Sequence, residues 1–441
     1  MTTDAPAMAP ANPLDGPGRS ARATIQLYLA LLIALLALGA PYGGLIGVPI
    51  SFILKNRLHL DPDQLSNFKL YASLPLYFSF LPGFIRDVSS PFGLKDRGFM
   101  LLFGAISAML YATFAFIEIT YLTLLIATLL LTTTYLFVLA AQNGLSSAVG
   151  QRHAMSGRIS ALWQIVIAIP AILALLLGGA ISDFLESSSD RLVAGLLYAT
   201  GAAIMLLIAL YGFWRPPPVF DPFSAETHRA SHPLADLRRL LRHRPIYPAL
   251  LIWLLWQFAP GVDTPLMFYL QDVLHGTDLQ WGQWNAIFAA SFIPSFLTFA
   301  LLCRKFPLRT LLLWGTVVAI PQMLPLLFIH TMTGALLAAI PIGLMGGVAT
   351  AAYLDLIIRS CPRGLEGVTL MMANALFFIA TRFGDRLGTE LYHRFGGFSA
   401  CVIAITAVYA MILPALRLVP ARLVATADGR QPDQFATIVG P

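Results

Sequence analysis

The sequence predicts an all-α membrane protein with twelve transmembrane helices in two six-helix parallel repeats. Three observations carry that reading: the scarcity of charge, the number of long apolar runs, and a short repeat at one fixed offset. Of 441 residues, 57% are hydrophobic and 11% charged, against roughly 25% charged in an average soluble chain. Mean hydropathy is +0.74. A soluble domain of this size could not cover its surface with so few charges. Soluble enzymes, nucleic-acid binders and disordered chains are therefore excluded, despite a net charge of +6.

The elements follow in order. Residues 1–24 are rich in Pro and Ala and read as a disordered cytoplasmic tail. A spanning helix needs about 20 mostly apolar residues. Runs of that kind cover 25–53, 66–85, 98–117, 120–146, 158–182, 192–213, 246–271, 281–302, 309–329, 332–357, 366–391 and 397–418. Six-helix bundles are expected over 25–214 and 245–419. A cytoplasmic linker over 215–244 joins them, and a cytoplasmic tail follows over 420–441. Positive charge tests this layout. With the N-terminus inside, only Lys55, Arg57, Lys69, Arg191 and Arg394 fall in outer segments, and Arg382 and Arg386 lie within a span. The rest of the 28 basic residues fall on the cytoplasmic side.

The repeat relates the two halves. VPISFILKNRLH at 48–59 overlies TPLMFYLQDVLH at 264–275 with an offset of 216. Pro49/Pro265, Phe52/Phe268, Leu54/Leu270, Leu58/Leu274 and His59/His275 coincide, and Gln64 matches Gln280 at the same offset. FGLK at 92–95 parallels FPLR at 306–309. Parallel repeats about an axis along the membrane normal place a binding site between the halves.

The first and seventh spans carry helix-breaking runs: Gly39, Pro41, Gly43, Gly44 and Pro49 in one, and Pro260, Gly261 and Pro265 in the other. Proline removes a backbone donor, and a backbone group freed inside a membrane needs protein or water, so these breaks are expected to line a cavity. Charge at membrane depth is expensive and marks function by default. Asp263 and Arg382 lie at similar depth and are expected to face that cavity, as a pair or as separate contacts. A fixed structural ion pair is the alternative. Asp385 and Arg386 continue the stripe on the eleventh span, with a structural role favoured for both. Tyr42, Gln142, Asn143, Gln164, Gln257 and Asn374 are further polar candidates, with Tyr71, Trp163 and Trp256 as aromatic ones. The competing reading for each is a bond between helices or a ring at the membrane interface. All histidines fall in loops or at helix ends. Cys303, Cys361 and Cys401 lack metal-type spacing, no phosphate-binding GxxxxGK[ST] run occurs, and neither a metal nor a cofactor is expected.

Three segments resemble a known family. GFIRDVSSPFGLKDRG, from Gly83 to Gly98, resembles the cytoplasmic signature loop of the major facilitator superfamily. The resemblance implies a charge-relay latch between helices, on Gly83, Asp87 and Arg97. The longer form, with Pro91, Phe92 and Gly93, is similar to the folate–biopterin transporter family. PGVDTPLMFYL at 260–270 is similar to that family's seventh-helix segment. RSCPRGLEGVTLMMANAL at 359–376 is similar to its tenth-to-eleventh-helix segment, which puts Arg359 and Glu366 in a cytoplasmic motif. Arg86 and Asp263 depart from the family pattern, both standing where small residues are usual.

The resemblance implies a secondary transporter working by alternating access on a small organic solute such as a folate or pterin. Proton coupling is expected beside it, with Asp263 or Asp385 as the titrating group, because desolvation raises a carboxyl pKa toward the working range. Arg382 suits a folate carboxylate, and Asp263 opposes it unless protonated or paired. Two alternatives stand beside this: a carrier of a drug or other amphiphile, and a non-transporting membrane assembly factor. The expected setting is a bacterial inner membrane with both termini cytoplasmic. The expected partners are the solute, protons and the lipid bilayer, with no nucleic acid, and the protein is expected to be a monomer.

Overall fold

The computed structural model describes residues 18–42, 46, 50, 54, 58, 68–187, 190–224, 233–395 and 397–430. Residues 1–17 and 431–441 of the expected tails lie outside the described residues. So do Gly43, Gly44, Pro49, Lys55, Arg57, His59, Gln64 and Arg229, and with them most of the 48–59 repeat.

Every regular element among the described residues is helical. The first half holds α1 (Arg19–Leu38), α2 (Phe80–Val88), α3 (Asp96–Phe114), α4 (Tyr121–Arg152), α5 (Ser156–Ser187) and α6 (Asp190–Tyr211). Two short helices follow, α7 (Pro217–Ser224) and α8 (Pro233–Arg242). The second half holds α9 (Ile246–Gln257), α10 (Thr264–Phe268), α11 (Asp278–Leu302), α12 (Leu308–Ala319), α13 (Met332–Ser360), α14 (Glu366–Arg394) and α15 (Phe398–Ala410). Among the described residues, nine helices are long and apolar enough to cross a membrane, and Gly195–Tyr211 and Ile246–Gln257 are shorter apolar helices. The span expected over 66–85 is broken into Leu74–Tyr77 and α2, where Pro75 and Pro82 interrupt it.

Local chemistry sets several of these boundaries. Thr120 and Thr277 each form a capping box, with Thr123 and Gln280 respectively, so α4 and α11 start sharply. The seventh span stops at Gln257 and resumes at Thr264 across Pro260 and Gly261. Gly261 has φ +105°, and a Cβ there would fall 2.4 Å from the Cβ of Cys401. Only glycine fits this turn against α15.

Within the linker lie the short helices α7 and α8. The expected boundaries need two corrections. The first helix begins at Arg19, so residues 19–24 are helical rather than tail. Residues 421–430 are not a free tail: they pack back onto the bundle.

Helix contacts set the layout. α1 packs on α5 and α6, and α3 on α4 and α6. α13 packs on α11 and α12, and α9 on α13 and α14. The halves meet where α2 and α4 touch α14, and where α5 touches α11 and α13. Small residues allow the closest crossing. A Cβ on Gly83 of α2 would lie 2.8 Å from the carbonyl oxygen of Gly367 on α14. Close backbone approach over glycine is the usual device for helix contact in a bilayer.

Candidate functional site

Two polar clusters join the halves at the arginine-rich end of the bundle. The first is built on Asp87 at the end of α2. Its carboxylate accepts the N–H groups of Gly367 (3.0 Å) and Val368 (2.7 Å), in the first turn of α14. A helix N-terminus presents unpaired donors and a positive dipole end, so a carboxylate fits there. Arg86 braces it from the same helix, with Nη1 2.7 Å from Asp87 and Nε bonded to Asp96. Glu366 accepts the N–H of Gly364. Deeper in the same seam, Ser79 Oγ donates to the carbonyl of Met371 at 3.0 Å, and Asn374 Nδ2 donates to Ser79 Oγ at 3.2 Å. Burial, with Glu366 nearby, pushes the Asp87 carboxyl up to about 7, against the opposing pull of Arg86 and the Val368 N–H.

The second cluster is built on Arg359 and Asp428. Arg359 makes a bidentate pair with Asp355, one turn earlier on α13, at 2.9 Å on each oxygen. It also donates to Ser156 Oγ of the first half and to the carbonyls of Leu423 and Thr426. Asp428 accepts from Arg158 Nε (2.7 Å) and from the Gly157 N–H (3.1 Å), while its own N–H donates to the Cys303 carbonyl (2.8 Å). Residues 421–430 are thus a strap bonded to both halves. Burial raises the Asp428 carboxyl, and Asp355 adds to this; Arg158 and the Gly157 N–H oppose it.

Above these clusters the seam is apolar. Leu76, Leu136, Ala140 and Met371 form a buried cluster capped by Tyr42 and Phe378. The rings of Tyr42 and Phe378, from opposite halves, meet edge-on at 5.5 Å. On α14, Met371, Asn374, Phe378, Arg382 and Asp385 recur at spacings of three and four and so share one face. The first three touch Asn143, Ser79 and Tyr42 of the other half. Arg382 continues this face beyond the last contact and is exposed.

Asp263 is also exposed. No ion pair joins it to Arg382 among the described residues, which favours separate contacts over a direct pair. The charges acting on Asp263 are Asp385, Arg382 and Lys69 of the first half. Asp385 accepts from both the N–H and the Oγ1 of Thr264, each at 2.8 Å. It caps α10 from a neighbouring helix and so holds the break in place. Arg386 is exposed one turn beyond Arg382.

The other predicted residues scatter. Gln142 is buried and donates to Ser146 Oγ within α4. Asn143 donates to the Met371 sulfur across the seam, and its Oδ1 is buried without a partner. Gln164 and Gln257 are half-buried. Trp256 stacks on Tyr409 at 4.6 Å and is core, Trp163 is buried, and Tyr71 is exposed. Arg97 does not join Asp87: it donates to the carbonyls of Gly212 and Phe213, tying α3 to the end of α6. Arg86 stands in its place. Sequence reasoning missed three residues. Asp355 was signalled by its spacing of four from Arg359. Lys69 was counted only as an outer-side charge. Asp428 carried no local signal, because its partners are more than 120 residues distant.

A bundle of long apolar helices whose two halves are joined by polar clusters at one end is the architecture of a polytopic membrane protein. The sequence profile of the Major Facilitator Superfamily matches residues 152–384, and the chain belongs to that superfamily. No curated protein sequence matches it. Among solved structures it is similar to the superfamily transporter FucP in the outward conformation, at 16% identity and TM-score 0.68, over 91% of this chain and 99% of that one. It is also similar to the human organic anion transporter MFSD10 (TETRAN), at 15% identity and TM-score 0.64, over 91% and 100%. A variant of the E. coli fucose:proton symporter FucP aligns at 17% identity and TM-score 0.63, over 90% and 98%. These likenesses are of fold.

Proposed function

We propose that the protein is a proton-coupled secondary transporter working by alternating access on a small organic solute bearing an acid group. The observation that carries this reading is the pairing of opposites along α14. Its first turns are bonded to the other half through Asp87, Ser79 and Asn143, while Arg382, further along, is exposed toward the cleft. Such a carrier must seal one end while a charged site stays open at the other.

In this mechanism Arg382, with Arg386 beside it, receives the acid group of the solute, and Asp263 exchanges the proton. A protonated Asp263 removes a charge that would repel a carboxylate, so proton and solute favour each other's binding. Asp385 positions Asp263 through Thr264. The apolar floor from Tyr42 to Met371 keeps solute from passing while the latch is shut. Closure of the mouth then draws Lys69 toward Asp263 as Asp87 leaves α14. We take the arginine-rich end as cytoplasmic, on charge bias, and the membrane as the bacterial inner membrane. The working unit is a single chain whose halves run over 25–214 and 245–419.

Folates and pterins are the first solutes to test. The likeness of the 83–98, 260–270 and 359–376 segments to the folate–biopterin transporter family supports them. The test is uptake of radiolabelled folate, pterin and a panel of other organic acids into proteoliposomes, with and without an inward proton gradient. Gradient-driven accumulation that is lost in Asp263→Asn and Arg382→Gln supports the reading. Accumulation indifferent to both substitutions would reject the site, and accumulation of a neutral amphiphile alone would favour a drug carrier.

A further inference from the structure

At the arginine-rich end, one surface is unused by the transport reading. The helix α8 (Pro233–Arg242) precedes α9 by a short turn. Its ten residues cover about 15 Å at 1.5 Å per residue, too short to cross a bilayer. Successive residues turn by about 100°, which sorts its side chains into three sectors. Leu240 is 5% exposed and packs into the protein. Next to it, Leu237 and Leu241 are exposed one above the other. The remaining sector carries Arg238, Arg239 and Arg242. With Ala235 and His243 these line an open cleft of about 690 Å³.

The cleft is made for an anion. Among the described residues it presents three guanidinium groups and no carboxylate, since Asp236, the helix's one acid, is not part of the lining. None of the three arginines has an ion pair or side-chain hydrogen bond among the described residues. Arg239 and Arg242 lie in the last turn, where cations suit the helix dipole, but that preference explains neither Arg238 nor the cleft. The fork is held in place: His243 bonds through Nε2 to the Ser360 carbonyl at 3.1 Å, pinning the end of α8 to α13.

We propose that this cleft binds the phosphate headgroup of an anionic phospholipid, with α8 lying along the membrane surface. Charge complementarity and the adjoining apolar edge choose this occupant together. A soluble phosphate would need only the arginines. The exposed Leu237 and Leu241 beside them match the acyl region just below a headgroup. Basic residues flanking a spanning helix also attract anionic lipid, by about 1 kcal/mol each near the surface. Arginine suits the role because its planar fork bonds two phosphate oxygens at once. The site is independent of which solute is carried.

The test uses the full-length protein in neutral detergent, titrated with short-chain phosphatidylglycerol, short-chain phosphatidylcholine and inorganic phosphate. Binding is read by thermal shift and native mass spectrometry. Phosphatidylglycerol is expected to bind saturably and to weaken about 100-fold in the triple variant Arg238→Gln, Arg239→Gln, Arg242→Gln. The lysine triple variant is expected to retain part of the binding. Leu237→Gln with Leu241→Gln is expected to weaken phosphatidylglycerol but not phosphate. Phosphatidylcholine bound as tightly as phosphatidylglycerol would overturn the proposal. Phosphate bound as tightly as the lipid would make this a free-anion site and also overturn it. Should the glutamine triple variant fail to fold, a salt titration of the wild type decides. Lipid binding unchanged between about 0.05 and 0.5 M salt would contradict an arginine–phosphate contact.

Discussion

The two ends of α14 are chemically opposite. Its first turns are buried and saturated with bonds to the other half: Asp87 on the Gly367 and Val368 N–H groups, and Ser79 on the Met371 carbonyl. Three to four turns on, Arg382 and Arg386 are exposed on the same helix. One continuous helix is thus bonded across the halves at one end and carries exposed charge at the other. The difference shows how a single rigid element can serve two gates. Its glycines allow contact at both ends: Gly367 against α2 at the seal, and Gly388 against Gly261 at the break, where a Cβ would lie 2.3 Å from the Gly261 nitrogen.

The largest expected effect falls on the seal. Asp87→Ala removes two charge-assisted bonds, each worth about 1.5–3 kcal/mol, and leaves the α14 N-terminus uncapped. Opening of the arginine-rich end should become at least about 100-fold more frequent. Cys361 reports it, because its buried thiol lies in this region and its alkylation should quicken while membrane insertion stays normal. Unchanged alkylation would break the comparison at its closed end. At the open end, Asp263→Asn is expected to cut gradient-driven accumulation by about 10- to 100-fold, with solute-free stability close to wild type. A stability loss without a transport defect would make Asp263 structural. Next comes the strap: Asp428→Ala removes the bonds to Arg158 and the Gly157 N–H and should raise Cys303 alkylation by about tenfold. An unaffected rate would mean that the strap follows the seal rather than holding it.

A further prediction concerns pH. Burial holds the Asp87 carboxyl pushed up to about 7, above the ordinary value of about 3.9. The folded protein therefore binds this proton more tightly than the unfolded chain does. That stabilisation is full below about pH 4 and is lost as pH rises through about 7. Melting temperature should fall from pH 5 to 8, and more steeply in the wild type than in Asp87→Asn. Parallel curves would separate Asp87 from the pH response.

Much of this contrast was legible in the sequence, because spanning length and charge bias are local properties. The latch segment around Asp87 and the helix breaks at Pro260 and Gly261 could be read directly. Pairings set by three-dimensional packing could not. Arg97 looked like the latch base by position, yet it caps the end of α6, and Arg86 holds Asp87 instead. Asp385 read as one of a charged stripe, whereas it caps α10 across helices through Thr264. Asp428 lay in a segment with no apolar period, and its own side-chain partners are distant in sequence. Lys69 shows the reverse case, because charge bias gave its side of the membrane but not its approach to Asp263.

The most direct measurement of the central claim is the side from which the cleft can be reached. Arg382→Cys would be reacted with a membrane-impermeant thiol reagent in vesicles of both orientations, and the labelling of the wild type, whose three native cysteines are buried, subtracted. The account predicts labelling at least about tenfold faster when the face opposite the arginine-rich end meets the reagent, since the seal excludes it from the other side. Faster labelling from the arginine-rich side, or equal rates from both, would contradict it.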